Sequence, residues 1–359
     1  MKALFAALAA LTLSAPATAQ ETQPLTAIHA GRLIDTAAGR VLTDQLILIR
    51  GERIESIGPI ASATIPADAR QIDLSQSTVL PGLIDTHVHL TSRADMHGLR
   101  GLTISVRRQA IDGVPHAQAT LRAGFTTVRD LGAAGFADVA LRDAINEGRI
   151  PGPRMLVSGP AVSITGGHGD NNMLPPEYNA SGDGVADGPW AVRQMVRRNI
   201  RFGADVIKFT ATGGVLSART SVGAQQFTEE EMRALIDEAH LAGRRVAAHA
   251  HGAEGIRTAI RAGVDSIEHG SLIDAEGIRA ACRARTYLSM DIYVSDYILS
   301  EGEAAGILEE SLVKERQVGA AQRENFRAAH RAGCRITFGT DAGVYPHGLN
   351  ARQFAYMVR

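Results

Sequence analysis

The stretch that decides the fold runs from residue 242 to residue 269. It reads Ala242-Gly243-Arg244-Arg245-Val246-Ala247-Ala248-His249 and then, after a helical interval, Ala262-Gly263-Val264-Asp265-Ser266-Ile267-Glu268-His269. Each half ends a helix on Ala-Gly, turns, runs through residues suited to a buried strand, and closes on a histidine. Glycine fits the left-handed position past a helix C-terminus, which gives the pattern a physical basis. The same arrangement recurs from Ala123-Gly124 to Asp130 and from Ala332-Gly333 to Asp341. Thr228 and Glu231 have the spacing of a capping box at the head of the helix that Gly243 ends.

Working outward, eight segments read as strands: 78–90, 125–131, 154–162, 205–210, 245–249, 265–269, 287–294 and 335–340. Eight strand–helix units over about 270 residues predict a (β/α)8 barrel in number and size. An open doubly wound sheet competes, but it gives no reason for polar residues at so many strand ends. Ahead of these units, residues 20–77 form a small β module. Leu46-Ile47-Leu48-Ile49, the turn Arg50-Gly51-Glu52-Arg53 and Ile54-Glu55-Ser56-Ile57-Gly58 make a hairpin within it. The expected organisation is therefore a leader at 1–19, the β module at 20–77 and the barrel at 78–359.

The leader is a secretory pattern: Lys2 supplies the positive start, residues 3–13 the apolar run, and Ala17-Thr18-Ala19 the small-residue cleavage site. The run is shorter than the roughly 20 residues a spanning helix needs, so no stable membrane anchor is expected. Export to a bacterial periplasm or to the medium follows. The chain has 359 residues, 45% of them apolar, and 37 basic against 38 acidic side chains, a net charge of −1. That balance excludes a disordered chain and a polytopic membrane protein, and it supplies no field for nucleic acid. Cys282 and Cys334 cannot alone make a disulfide framework or a thiolate zinc site, and they are expected as unpaired, buried thiols. Only Lys2, Lys208 and Lys314 stand against thirty-four arginines, so each lysine kept raises the question of what arginine could not do there.

The chemistry sits at the strand ends, which a barrel gathers on one face. Period-2 alternation puts His87 and His89 on the same side of the first strand. Lys208 interrupts the apolar run of the fourth strand, His249 and His269 close the fifth and sixth, and Asp341 follows the eighth. Imidazoles with a carboxylate predict a hard-to-borderline metal site. Burial and positive neighbours push Lys208 towards the neutral amine, which can add carbon dioxide to give an anionic carbamate able to bridge two ions. Arginine cannot do this at accessible pH.

Taken together, Pro81-Gly82-Leu83-Ile84-Asp85-Thr86-His87-Val88-His89, Thr126-Thr127-Val128-Arg129-Asp130, Gly166-Gly167-His168-Gly169, His249-Ala250-His251-Gly252, Ser266-Ile267-Glu268-His269-Gly270 and Gly339-Thr340-Asp341-Ala342-Gly343 resemble the binuclear amidohydrolase superfamily. The likeness is to its imidazolonepropionase-related branch, which includes Xaa-Pro dipeptidase-like and ochratoxin-hydrolysing enzymes. The resemblance implies that His87 and His89 hold one ion, His249 and His269 the other, and carbamylated Lys208 bridges them, with Asp341 on the first ion. It also implies two divalent ions, zinc the expected choice, and attack on an amide by a metal-bridging hydroxide, with Asp341 carrying the proton.

Members of that superfamily continue beyond the eighth strand and complete the N-terminal module as a β-sandwich, so the resemblance implies an incomplete sandwich in this chain. His168 resembles a position facing the substrate, His251 is expected behind the ligands, and Tyr293 and Arg219 are candidates for a substrate carboxylate. The substrate expected is a small-molecule amide: a dipeptide, an N-acyl amino acid or an ochratoxin-like amide. A homo-oligomer is compatible with the sequence. Two other readings stand beside the amidase, a cyclic-amide hydrolase or deaminase on the same barrel and an inactive periplasmic binding remnant. Bridging Lys208 argues against the first and the intact ligand set against the second.

Overall fold

In the computed structural model, the described residues are 23–359, and the expected leader at 1–19 lies outside them. The chain divides into one unit ending at Pro81 and another spanning Gly82–Arg359. In the first unit, β1 (Leu25–Asp35), β2 (Arg40–Arg50), β3 (Arg53–Pro59) and β4 (Arg70–Val79) form one sheet in the order β3-β2-β1-β4. The expected hairpin is there: β2 and β3 run antiparallel, and Arg50 opposite Arg53 closes the turn at Gly51. Consecutive strand residues point to opposite faces. Leu46 accordingly packs with Leu25 and Ala27, while Ile47 packs with Ala30 and Leu33. β4 pairs parallel to β1 and includes Thr78 and Val79.

The second unit contains eight parallel strands, one in each expected segment. They are β5 (Leu83–Val88), β6 (Phe125–Asp130), β7 (Arg154–Val157), β8 (Val206–Thr210), β9 (Arg245–Gly252), β10 (Ser266–Leu272), β11 (Tyr287–Ser289) and β12 (Ile336–Thr337). They lie in two sheets, β5-β6-β7 and β12-β11-β10-β9-β8. Backbone hydrogen bonds join the sheets at both seams. At one, Val162 N donates to Lys208 O at 2.8 Å and Thr210 N to Val162 O at 2.9 Å. At the other, Thr86 N donates to Phe338 O at 2.8 Å and Asp341 N to His87 O at 2.8 Å. The segment after β7 thus reaches β8, and β5 reaches the segment after β12.

Helices between the strands bury their apolar faces against one face of these sheets. The helix Glu229–Leu241 begins with the expected capping box, Thr228 with Glu231. It buries Met232, Leu235 and Ile236 in a core shared with Ile207, Phe209, Val246 and Ile267. Alternation sends the other residues of the same strands inward, where Val206 and Ala247 pack with Leu131. Gly124, Gly243, Gly263 and Gly333, the glycines of the four Ala-Gly helix ends, all have positive φ. Among the described residues no helix is long and apolar enough to cross a membrane.

Two expectations need correction. The single strand expected over 78–90 is two, β4 and β5, separated by Leu80-Pro81-Gly82. Proline has no N–H for a ladder, so it splits the run. Cys282 and Cys334 are not unpaired thiols but a disulfide, with Cα atoms 4.6 Å apart across 52 residues of sequence. Cys282 lies on the helix Ala275–Ala284, and Cys334 follows the helix Glu309–Arg331. Neighbouring strand–helix units bring the two together, and spacing alone carries no sign of it.

Candidate metal centre

The carboxyl ends of the strands open on a cavity of about 250 Å³ lined by His87, His89, Lys208, His249, His269 and Asp341, together with His168 and His251. Each inward side chain follows from alternation: Lys208 sits between outward Ile207 and Phe209, and His249 between Ala248 and Ala250. His269 sits at an irregularity within β10 and Asp341 beyond the end of β12, with φ of 69° and 58°. This left-handed backbone is uncommon outside glycine, and it turns both side chains into the cavity.

Asp341 is the centre of the first group. Its Oδ1 lies 3.3 Å from His89 Nε2 and 3.5 Å from His87 Nε2. Lys208 Nζ lies 3.4 Å from His87 Nε2. Burial alone would raise the Asp341 carboxyl, but His87, His89 and His269 outweigh it and hold it well below the usual carboxylate range. Burial pushes the Lys208 ammonium down to about 8, against the pull of Glu268 and Asp341. A second group is formed by His249, His251 and His269, whose ligand atoms fall within 4.8 Å of one another, as do those of His87, His89 and Asp341.

Three of the other ring nitrogens are hydrogen-bonded. His89 Nδ1 is 3.0 Å from Gly132 O, His251 Nδ1 is 2.8 Å from Ser271 Oγ, and His269 Nδ1 is 3.0 Å from Asp291 Oδ2. His87 Nδ1 faces Glu268 Oε2 at 3.3 Å. Holding one nitrogen fixes the ring and presents the other, the arrangement that orients metal-binding imidazoles. His249 Nε2 is buried with no hydrogen-bond partner. Burial, aided by neighbouring His168, His269 and His251, pushes His249 well down, so its ring is the neutral form a metal requires. His168 stacks on His249 with centroids 4.0 Å apart, and burial pushes it down to about 3.

Asp85 ties the seam beneath this group. It accepts from Thr340 Oγ1 at 2.6 Å, Asn350 Nδ2 at 2.7 Å and His87 N at 3.1 Å, so one carboxyl steadies the backbone of both His87 and the turn before Asp341. Burial pushes it up to about 7.

The eight residues above share the cavity; the two candidates for a substrate carboxylate do not line it. Tyr293 is packed in the core against Tyr345, and its hydroxyl accepts from Arg352 Nη1 at 3.0 Å. Arg219 is exposed, on a loop whose backbone N–H it donates to Glu310. His251, expected behind the ligands and on the opposite side of the strand from Ala250, lies on the same side as His249 and lines the cavity.

Glu268, Arg129, Asp291, Gln322 and Glu315 had no assigned role, and all are buried or nearly so. For Arg129 and Glu268 a signal existed: a charged residue next to an outward apolar one, Val128 and Ile267, is the feature that picked out Lys208.

Residues 78–358 match the family model "Amidohydrolase family". Ochratoxinase of Aspergillus niger is 33% identical over 93% of this chain and 72% of its own length. Imidazolonepropionase of Rhizorhabdus wittichii is 28% identical over 70% of this chain and 65% of its own. Among solved structures, a Xaa-Pro dipeptidase with methionine bound in its active site superposes with a TM-score of 0.87 at 39% identity, covering 93% of this chain and 83% of that one. The A. niger ochratoxinase structure gives 0.80 at 30% identity, covering 93% and 80%. The chain is an enzyme of the amidohydrolase family.

Proposed function

We propose that the protein is a binuclear metal-dependent amidase of small substrates: dipeptides, N-acyl amino acids or ochratoxin-like amides. The observation that carries this is the convergence of His87, His89, Lys208, His249, His269 and Asp341 on one cavity from separate strand ends. The frame we infer is a (β/α)8 barrel, supported by hydrogen bonds at both sheet seams and by polar groups gathered at the carboxyl ends of the strands. Apolar clusters on both faces of the N-terminal sheet support its being one layer of a β-sandwich.

The residues fit a pair of divalent ions. A His249 ring kept neutral by burial with its Nε2 unpartnered, and Nδ1 atoms already engaged at His89 and His269, are what such a centre needs. His87, His89 and Asp341 would hold one ion and His249 and His269 the other. When bound, the ions, zinc being the expected pair, supply an acidic water as nucleophile and polarise the amide carbonyl.

The chain's own groups do the rest. The Lys208 amine, eased towards neutrality by burial, adds to carbon dioxide through a new N–C bond and loses a proton, leaving a carbamate between the two groups of ligands. Asp341, kept ionised among imidazoles, takes a proton from the attacking water and delivers it to the leaving nitrogen, whose departure as an anion is prohibitive. His168, stacked on His249, limits solvent on that ring. The modest cavity favours small substrates.

We further infer export, to a bacterial periplasm or the medium. The leader pattern at 1–19 and the Cys282–Cys334 disulfide, of a kind that persists in oxidising compartments, support it.

The test is elemental analysis of the purified protein combined with an amide panel. About two ions per chain are expected, with hydrolysis of dipeptides or N-acyl amino acids. One tightly held ion with full activity, or ammonia release from a ring amine in place of amide cleavage, would move the protein to the deaminase type.

A further inference from the structure

The helix Glu309–Arg331 contributes Glu315, Val318 and Gln322 to the cavity. Glu315 is only 4% exposed. One of its carboxyl oxygens accepts a hydrogen bond from Ser295 Oγ, and the other has no hydrogen-bond partner among the described residues. Val294, Ile298 and Val318 contribute apolar surface to the same lining.

Basic side chains of the same helix are committed elsewhere. Lys314, the adjacent residue, donates to Ser217 O at 2.7 Å and pairs with Glu310 at 2.7 Å. Arg323 is taken up by Ile292 O and Asp296, and Arg316 by Glu309. Asp291, another acid of this lining, is occupied by His269 and by Gln322 Nε2 at 2.7 Å. Glu315 belongs to none of the groups whose ligand atoms gather within 4.8 Å, so it stands apart from the metal candidates.

Arg323 and His269 lie near enough to act on Glu315 but neither is bonded to it, and a buried carboxyl with one neutral donor and no bonded cation is costly as a structural element. Burial and the charge of Asp291 push it up to about 7, the direction expected of a group short of positive charge. A cation arriving in the cavity would remove that deficit. An amidase substrate offers one in a definite place: the protonated α-amino group one carbon from the scissile carbonyl.

We infer that Glu315 binds the free α-ammonium of the acyl half of the substrate, so that unblocked dipeptides and amino-acid amides are preferred to N-blocked amino acids. Val294, Ile298 and Val318 then flank the acyl side chain and favour an apolar one. This selects among the substrates of the amidase reading and rests on that reading for the site.

The experiment compares zinc-loaded, full-length wild type with E315Q and E315D. Calorimetry measures the binding of L-leucine and N-acetyl-L-leucine, and hydrolysis of Leu-Gly and N-acetyl-Leu-Gly is followed alongside. Wild type is expected to bind leucine at least about 10-fold more tightly than its acetylated form, as a hydrogen bond to a charged group allows. E315Q should weaken leucine binding and raise the KM for Leu-Gly by about 10- to 100-fold, with the acetylated ligands changed less than about two-fold. E315D, which keeps the charge, should retain part of the preference. Zinc content and melting temperature separate this from misfolding. Equal wild-type affinities, or equal losses for both ligands in E315Q and E315D, would overturn the inference. Discrimination in binding without cleavage of any amide would instead sink the amidase reading and leave the ammonium subsite standing.

Discussion

Two polar layers lie on the inward face of the parallel strands, and they are built differently. At the carboxyl ends lie His87, His89, Lys208, His249, His269 and Asp341, with His249 Nε2 and His168 Nδ1 buried and unpartnered. Towards the amino ends lies Arg129, whose Nε donates to Thr86 O at 2.6 Å, Nη1 to Ser266 Oγ at 3.0 Å and Nη2 to Glu268 Oε1 at 2.7 Å. Ser266 Oγ also donates to Glu268 Oε1 at 2.6 Å. In the lower layer Arg129 has every nitrogen bonded and only Glu268 Oε2, facing His87, is without a hydrogen bond, whereas the upper layer keeps bare imidazole nitrogens in reserve. Reserve capacity in a buried layer costs stability, so it marks an occupant. The layers meet at His87, whose Nδ1 faces Glu268 and whose Nε2 faces Asp341 and Lys208.

The difference can be broken most severely in the upper layer. Lys208→Arg keeps a positive side chain but cannot form a carbamate, so metal content and activity should both collapse. Elemental analysis with an amide assay reads this, and retention of both would return Lys208 to a plain structural cation. Asp341→Asn comes next. It keeps shape and one ligating oxygen but not the base, so metal should largely remain while amide turnover falls by about 10²–10⁴-fold. The fall belongs in kcat, and esters of the same acyl group should suffer less; equal small losses for ester and amide would leave Asp341 a ligand only.

The lower layer should fail as structure, not as chemistry. Arg129→Met leaves Glu268 buried without its cation and should cost about 3–5 kcal/mol in denaturant unfolding, while the double variant with Glu268→Gln recovers part of that. Burial would raise the Glu268 carboxyl, but Arg129, His87 and Lys208 outweigh it and hold it well below its usual 4.5. Its contribution is therefore full above that value and lost as pH falls below it, so the wild type's acid limb should be steeper than the double variant's. An Arg129→Met cost near zero would remove the distinction between the layers. The smallest effect is expected far from both: Cys282→Ser with Cys334→Ser should lower stability by about 2–4 kcal/mol and leave zinc content unchanged.

Much of this was legible because alternation and helix ends write themselves into the sequence. Each of the eight parallel strands overlaps its expected segment, with β9 and β10 running three residues past theirs, and the inward residues of β8 and β9 follow from outward Ile207, Phe209, Val246 and Ala248. Strand length was not legible. The segments 154–162, 287–294 and 335–340 shrink to Arg154–Val157, Tyr287–Ser289 and Ile336–Thr337, because apolar residues past a strand end can pack in a core without a ladder. Tyr293 shows the consequence: it starts the helix Val294–Glu301, and its ring joins the core instead of the cavity. Arg219 depended on a loop conformation no pattern specifies. Glu315 sits on a helix among other charged residues, and only the packing separates it from its exposed neighbours.

The shortest strand has the most exacting task. β12 meets β11 through only two residue pairs, Leu288 with Ile336 and Ser289 with Thr337, yet it delivers Asp341. A slip of two residues would preserve the alternation of side chains and so incur little penalty from the pattern itself. It would carry the carboxylate about 7 Å along the strand, out of reach of His87 and His89. Cys334 stands two residues before β12 and is bonded to Cys282. The disulfide therefore acts as a second phase lock: it fixes the starting point of a very short strand, while the bonds to β5 and to Asp85 fix its far end and keep Asp341 in place without it.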